Sequence, residues 1–168
     1  MVRSLAVVLG VVGVVALITI RASSEAVREV SYEAELVGAR SAAPYDVLAP
    51  EGLDDYRATS VRYLDEGGVT VWHLGFLTPD EEYVGLDQVD APSPDYLQDF
   101  VADLTEDAVE GDPVVIDGEQ WQRYDDGGSS DDEHVRGLLR TDGNVSILVS
   151  GTADWVELEE FAAALDAG

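Results

Sequence analysis

The chain has 168 residues with no cysteine, no lysine, nine arginines and 35 acids, a formal charge of −26. Without cysteine there is no disulfide, thiolate zinc site, thiol nucleophile or lipid-modified lipoprotein cysteine. So acidic a surface repels phosphate backbones and argues against nucleic acid as a partner.

From Ser4 to Ile20 runs "SLAVVLGVVGVVALITI", uncharged and bracketed by Arg3 and Arg21. At about 1.5 Å per residue this is just long enough to span a bilayer as a helix, with both arginines snorkelling to the interfaces. Residues 1–21 are therefore expected to be a single-pass anchor. A cleaved signal peptide is the rival reading, because Ala22-Ser23-Ser24 offers small residues at a cleavage site. Arg21 beside that site and the length of the apolar run argue against it. Positive charges flank the segment on both sides, so charge alone does not set orientation, and an upstream start site would add a basic tail. Ala6 and Gly10 form a small-xxx-small pair, a weak signal for helix pairing.

Beyond the anchor, residues 22–168 hold seven arginines against all 35 acids, a charge of −28. Acidity without lysine arises equally from GC-rich coding and from adaptation to high salt, and its first effect is a solvated surface. Residues 22–43 read as a charged helical stalk ending before Pro44. Residues 44–168 read as one acidic domain of ordinary size.

Within it, "YRATSVRYL" (56–64), "VTVWHLGFL" (69–77) and "EYVGLDQV" (82–89) alternate or run β-branched and aromatic, which predicts strands. Gly67-Gly68 turns the first pair, and Thr78-Pro79-Asp80-Glu81 the second, with proline at the first central turn position. Ser93 then caps a helix whose apolar set is Tyr96, Leu97, Phe100, Val101 and Leu104. The second half repeats the design. "PVVI" (113–116) and "EQWQRY" (119–124) flank the hairpin dipeptide Asp117-Gly118, and "HVRGLLRT" (134–141) and "NVSILVS" (144–150) flank Asp142-Gly143. Thr152 is expected to cap a final helix with Trp155, Val156, Leu158, Phe161, Ala162 and Leu165 inward. Strands followed by a helix thus occur twice, a duplicated pattern. Hairpin connections predict an α+β fold: a mainly antiparallel sheet of about six to eight strands with two packed helices, preceded by one transmembrane helix.

Candidate chemistry is sparse. "RYDDGGSSDDEH" (123–134) gathers Asp125, Asp126, Asp131, Asp132 and Glu133, a candidate loop for weak divalent-cation binding. The EF-hand pattern fails from Asp125, where glycine holds position three and serine position six, and from Asp126, where glycine holds position three and Asp131 position six. Its Gly-Gly-Ser-Ser core reads as a solvated hairpin connection. Strand alternation puts Trp72, Leu74 and Phe76 on the inward face and His73 on the other with Val71 and Gly75. A lone strand histidine reads first as a hydrogen-bonded surface residue, and with His134 it makes no zinc spacing. No GxSxG elbow, Walker loop or cofactor fingerprint is present. Acid pairs suffice for a glycosidase, but among 35 acids the sequence nominates none. Trp72, Trp121 and Trp155 read as core before they read as a ligand groove.

The succession "AAPYDVLAPEGL" (42–53), "YRATSVRY" (56–63), "VWHLGFLTPDEEYVGLDQVDAP" (71–92), "GEQWQRY" (118–124) and "LLRTDGNVSILVSGTADWVELEEFAAAL" (138–165) resembles an actinobacterial family catalogued as domain of unknown function 4245. Tyr56 stands where that family is expected to carry tryptophan, and the N-terminus lacks the basic tail of its members. The resemblance implies a single-pass protein of the cell membrane with its domain outside the cytoplasm, and it brings no activity or catalytic residue. The expected function is a non-catalytic binding or interaction module of the cell envelope, with membrane contact through the anchor and an envelope protein as partner. The alternatives are an envelope hydrolase using carboxylates or histidine, and an accessory subunit of an envelope complex.

Overall fold

The structure, a computed structural model, describes residues 29–91, 93–125, 127 and 134–168. The apolar segment 4–20 and most of the acidic loop lie outside the described residues. Among those described, no helix is long and apolar enough to cross a membrane.

Helix α1 spans Glu33–Ala42, and a short strand β1, Ala49–Pro50, follows. A meander then runs through β2 (Arg57–Glu66), β3 (Val69–Leu77) and β4 (Tyr83–Asp90) into helix α2 (Pro94–Leu104). After the short β5 (Val109–Glu110) come β6 (Val114–Ile116), β7 (Glu119–Asp125), β8 (Arg136–Asp142) and β9 (Val145–Gly151), then helix α3 (Trp155–Ala163) and β10 (Leu165–Asp166). The main sheet has eight strands in the order β2-β3-β4-β9-β8-β7-β5, with β6 also paired to β7, and every pairing is antiparallel. β4 and β9, the last strands of the two meanders, meet at its centre, while β1 and β10 form a separate two-stranded ribbon.

The turns follow their residues. Gly67 and Gly68 between β2 and β3 both take positive φ, as do Asp117 and Gly118 between β6 and β7, the geometry of a two-residue hairpin. At Thr78-Pro79-Asp80-Glu81 the Glu81 N–H donates to the Thr78 carbonyl at 3.0 Å, closing the turn.

One face of the sheet carries the main core, with Trp72, Leu74, Val84, Leu86, Leu138 and Val149 all 0% exposed beneath Leu158 and Phe161 of α3. Phe76 joins the two layers, its ring 5.4 Å from that of Phe161 and 5.6 Å from that of Tyr32. The opposite face carries α2, which buries Val101 and sets the buried Thr105 against Gly137.

Three features differ from the sequence expectation. Among the described residues three helices pack instead of two: residues 33–42 are helical as expected, but α1 lies on the core, with Ala39 buried, Leu36 against the cluster and the Arg40 Nε–H donating to the Val47 carbonyl at 3.2 Å. The last helix is capped by Asp154 and not by Thr152. The Asp154 carboxylate accepts from the N–H groups of Val156 and Glu157, whereas the Thr152 hydroxyl accepts from Tyr83 N–H at 3.0 Å and so ties the turn to β4. Val156, expected inward, is 73% exposed, because at about 100° per residue it lies on the side of α3 away from Leu158, Phe161 and Ala162. Ser93 does cap α2, accepting from Tyr96 N–H at 3.2 Å.

Candidate functional site

Two arrangements share the face that carries α2. The first is a hydrogen-bonded chain across β2, β3 and β4. Strand alternation turns His73 away from the core, as expected, and register sets it opposite Asp87. A bulge in β2 between Ala58 and Ser60 brings Ser60 into line with Gly75. His73 Nδ1 lies 2.9 Å from Asp87 Oδ1, and His73 Nε2 lies 2.9 Å from Ser60 Oγ. The Asp87 and His73 side chains are 7% and 17% exposed. Since a carboxylate only accepts, Nδ1 carries the proton, and Nε2 is free to accept from the serine hydroxyl.

Beside this chain stands Tyr83. A Cβ at Gly75 would sit 2.8 Å from the Tyr83 Oη and closer still to Ser60 Oγ, and one at Gly85 would sit 3.0 Å from the same oxygen. The two glycines therefore open the space in which the phenol comes up beside the serine. Burial first, and the Asp87 carboxylate second, push the Tyr83 hydroxyl above its usual pKa, so it remains a proton donor. Asp87, Ser60 and Tyr83 were not singled out from the sequence. Only His73 had a signal, its outward position in an apolar strand, while partners on adjacent strands become visible only once register is known.

The second arrangement is a groove of about 510 Å³ between α2 and strands β7 and β8. Leu97, Val101, Ala102, Ala108, Tyr124 and Leu139 line it, and Asp107 and Glu110 stand at its lip. It exists because α2 is only half seated: Val101 alone is fully buried, while Tyr96, Leu97, Phe100 and Leu104, expected inward, stay partly exposed. The lip is strained, since Glu106 and Asp107 take φ of 54° and 60°, a region that costs non-glycine residues energy. Tyr124, in the floor, has its pKa raised chiefly by burial and then by Glu110.

On the core face, the tryptophans serve packing. Trp72 is 0% and Trp121 2% exposed, and the Trp72 indole N–H donates to the Leu48 carbonyl at 2.9 Å. Trp155 is half-buried under two guanidinium groups, Arg123 at 4.8 Å and Arg136 at 6.0 Å from its ring, and Arg140 covers Trp121 at 5.1 Å. Half of the six described arginines thus stack on indoles, and Arg123 also pairs with Glu159 of α3.

Of the acidic loop, Asp126, Asp131, Asp132 and Glu133 lie outside the described residues. Asp125 ends β7 and accepts from Gly127 N–H at 2.8 Å, and His134 Nε2 approaches it at 2.6 Å. Partial burial opposes ionisation of Asp125, but the Gly127 N–H, the His134 hydrogen bond and the charges of His134 and Arg136 together hold its carboxyl below the usual range. Among the described residues, no three acidic or histidine side chains gather as a metal ion would require.

No curated protein matches the chain, and no solved structure does. A family model does: the protein of unknown function family DUF4245 matches residues 1–165, nearly the whole sequence. With the resemblance of its strand and turn segments thus matched over its length, the chain belongs to the DUF4245 family.

Proposed function

We propose that the chain is a membrane-anchored, extracytoplasmic binding module of the cell envelope whose groove between α2 and strands β7–β8 receives an apolar segment of a basic partner protein. The groove is the observation that carries this reading: an apolar floor rimmed by Asp107 and Glu110 on a helix whose Asp95, Asp99 and Asp103 are all exposed. An apolar surface of this kind marks a contact site, and an acidic rim speeds encounter with cations while rejecting anions. The anchor rests on the apolar run 4–20 and on the family resemblance. Service as an accessory subunit of an envelope complex is the same reading seen from the partner's side.

Two measurements test it. Because the chain has no cysteine, Val115→Cys, at a position 68% exposed, introduces a single thiol. A membrane-impermeant maleimide should label it in intact cells stripped of wall, and labelling only after lysis would reverse the topology. For the groove, the full chain in detergent should bind an amphipathic leucine–lysine peptide more tightly than its leucine–glutamate counterpart, with affinity falling as salt rises. Leu97→Asp should weaken that binding by roughly tenfold or more, about 1.4 kcal/mol. Equal binding by the variant would place the contact elsewhere.

A further inference from the structure

We propose that Ser60, His73 and Asp87 form a nucleophile–base–carboxylate relay that cleaves carboxylic esters on the open face of the β2–β3–β4 meander. This goes beyond the binding module, and it stands whether or not the groove is occupied. Three observations carry it. The two hydrogen bonds, 2.9 Å each, use opposite nitrogens of one imidazole, so the carboxylate fixes the tautomer that leaves Nε2 to accept the serine proton. Burial is graded, with Asp87 at 7% and His73 at 17%, and Ser60 is partly open to solvent at the outer end. The bulge at Ala58/Ser60 re-aims the serine, and Gly75 leaves room beside it where any Cβ would strike Ser60 Oγ and the Tyr83 hydroxyl.

In the reaction, Ser60 Oγ attacks the ester carbonyl carbon while its proton passes to His73 Nε2. The new Oγ–C bond forms and the carbonyl π pair moves to oxygen. β2 is the edge strand of the sheet and is bulged at Ala58/Ser60, so its outward backbone N–H groups are not held in a ladder and can join nearby side chains in meeting the developing oxyanion. Tyr83 Oη, which shares with Ser60 Oγ the space over Gly75, is the side-chain donor beside the serine, and Arg62, opposite His73 in register, adds positive charge on the same strand. Collapse of the intermediate breaks the carbon–alkoxy bond, and the proton on Nε2 goes to the departing alcohol oxygen. Water then repeats the sequence: it gives a proton to Nε2, displaces Oγ from the acyl carbon and returns that proton to Ser60. The net change is ester plus water to acid plus alcohol. An ester, whose alkoxide leaves more readily than an amine, is the least demanding acyl substrate for such a site.

The experiment uses the full chain in detergent micelles with two probes, a fluorophosphonate and p-nitrophenyl acetate. The fluorophosphonate should add once per chain by displacement of fluoride, and peptide mapping should place the adduct on Ser60. Hydrolysis of p-nitrophenyl acetate should show a burst of nitrophenol equal to the enzyme present. Asp87→Asn and His73→Gln should slow both at least 100-fold, and Ser60→Ala should abolish adduct and burst, with thermal melts checking that each variant folds. The mapped adduct on the unaltered chain decides the question even if a variant unfolds. Absence of a Ser60 adduct on the folded chain, an adduct on another serine, or full hydrolysis by folded Ser60→Ala would each overturn the proposal.

Discussion

Each half of the sheet ends in three antiparallel strands and then a helix, β2–β3–β4 into α2 and β7–β8–β9 into α3, yet the helices end on opposite faces. Arg123 and Tyr124 are neighbours on β7; the first touches Trp155 and Glu159 of α3, and the second lines the groove under α2. α3 fully buries Leu158, Phe161 and Ala162, whereas α2 fully buries only Val101. A repeated sequence rhythm therefore specifies that a helix will pack, but not against which side or how completely. The incomplete seat of α2 is what leaves an apolar groove beneath it.

If this contrast is right, truncation of the α3 layer should cost most. Phe161→Ala, like Trp72→Ala beneath it, is expected to lower the unfolding free energy by about 3–5 kcal/mol in urea titrations. Val101→Ala on α2 should cost only about 1–2 kcal/mol, roughly the transfer value of its lost methyl groups. Comparable losses at the two helices would erase the contrast. The caps come next. Asp154→Ala removes a carboxylate that holds two N–H groups at 2.9 and 3.0 Å, and Ser93→Ala removes one bond at 3.2 Å. Each should cost about 1 kcal/mol, with Asp154 the larger because its charge also meets the helix dipole.

A smaller effect sharpens the description of the β7–β8 end. Asp125 has a lowered pKa in the folded chain, so its ionised form contributes stability above the unfolded value of about 3.9 and loses it as pH falls through the folded value. Asp125→Asn should therefore be slightly less stable than the parent at neutral pH, and the two melting temperatures should draw together only as pH falls from about 4 through the lower folded value. Smallest of all is the calcium effect. Because the whole chain repels itself at −26, sodium and calcium should raise the melting temperature about equally at matched ionic strength. A specific calcium increment that vanishes when the loop is shortened to a turn would instead make Asp125, Asp126, Asp131, Asp132 and Glu133 a cation site.

What the sequence made legible was local. β3 runs over Val69–Leu77 as alternation predicted, and the glycine-bearing turns close where their dipeptides stand. The strands β1, β5 and β10, two residues each, escaped because they have no periodicity to read. The sequence offers Thr152 as readily as Asp154 for the cap, because both residue types cap well and stand two positions apart, and only the partner strand decides between them. His73 was placed on its correct face, but Ser60 and Asp87 come from flanking strands, so their meeting depends on a bulge and a register that no local pattern encodes. The groove was invisible for the same reason: it is the remainder of an imperfect packing, not a motif.

The pairing of β4 with β9 at the centre of the sheet sets a hazard during synthesis. Every other ladder of the main sheet joins strands near in sequence, but this one joins the ends of two successive meanders and must close a long loop. As the chain is made, β2, β3 and β4 can assemble while β9 is still to come, leaving β4 as a bare edge. That edge carries Val84, Leu86 and Val89, all at most 1% exposed once folded, and a free apolar edge is a template for pairing with another copy. The half-built domain thus has its aggregation-prone moment after the first meander, and docking of β9 closes both the fold and that window at once.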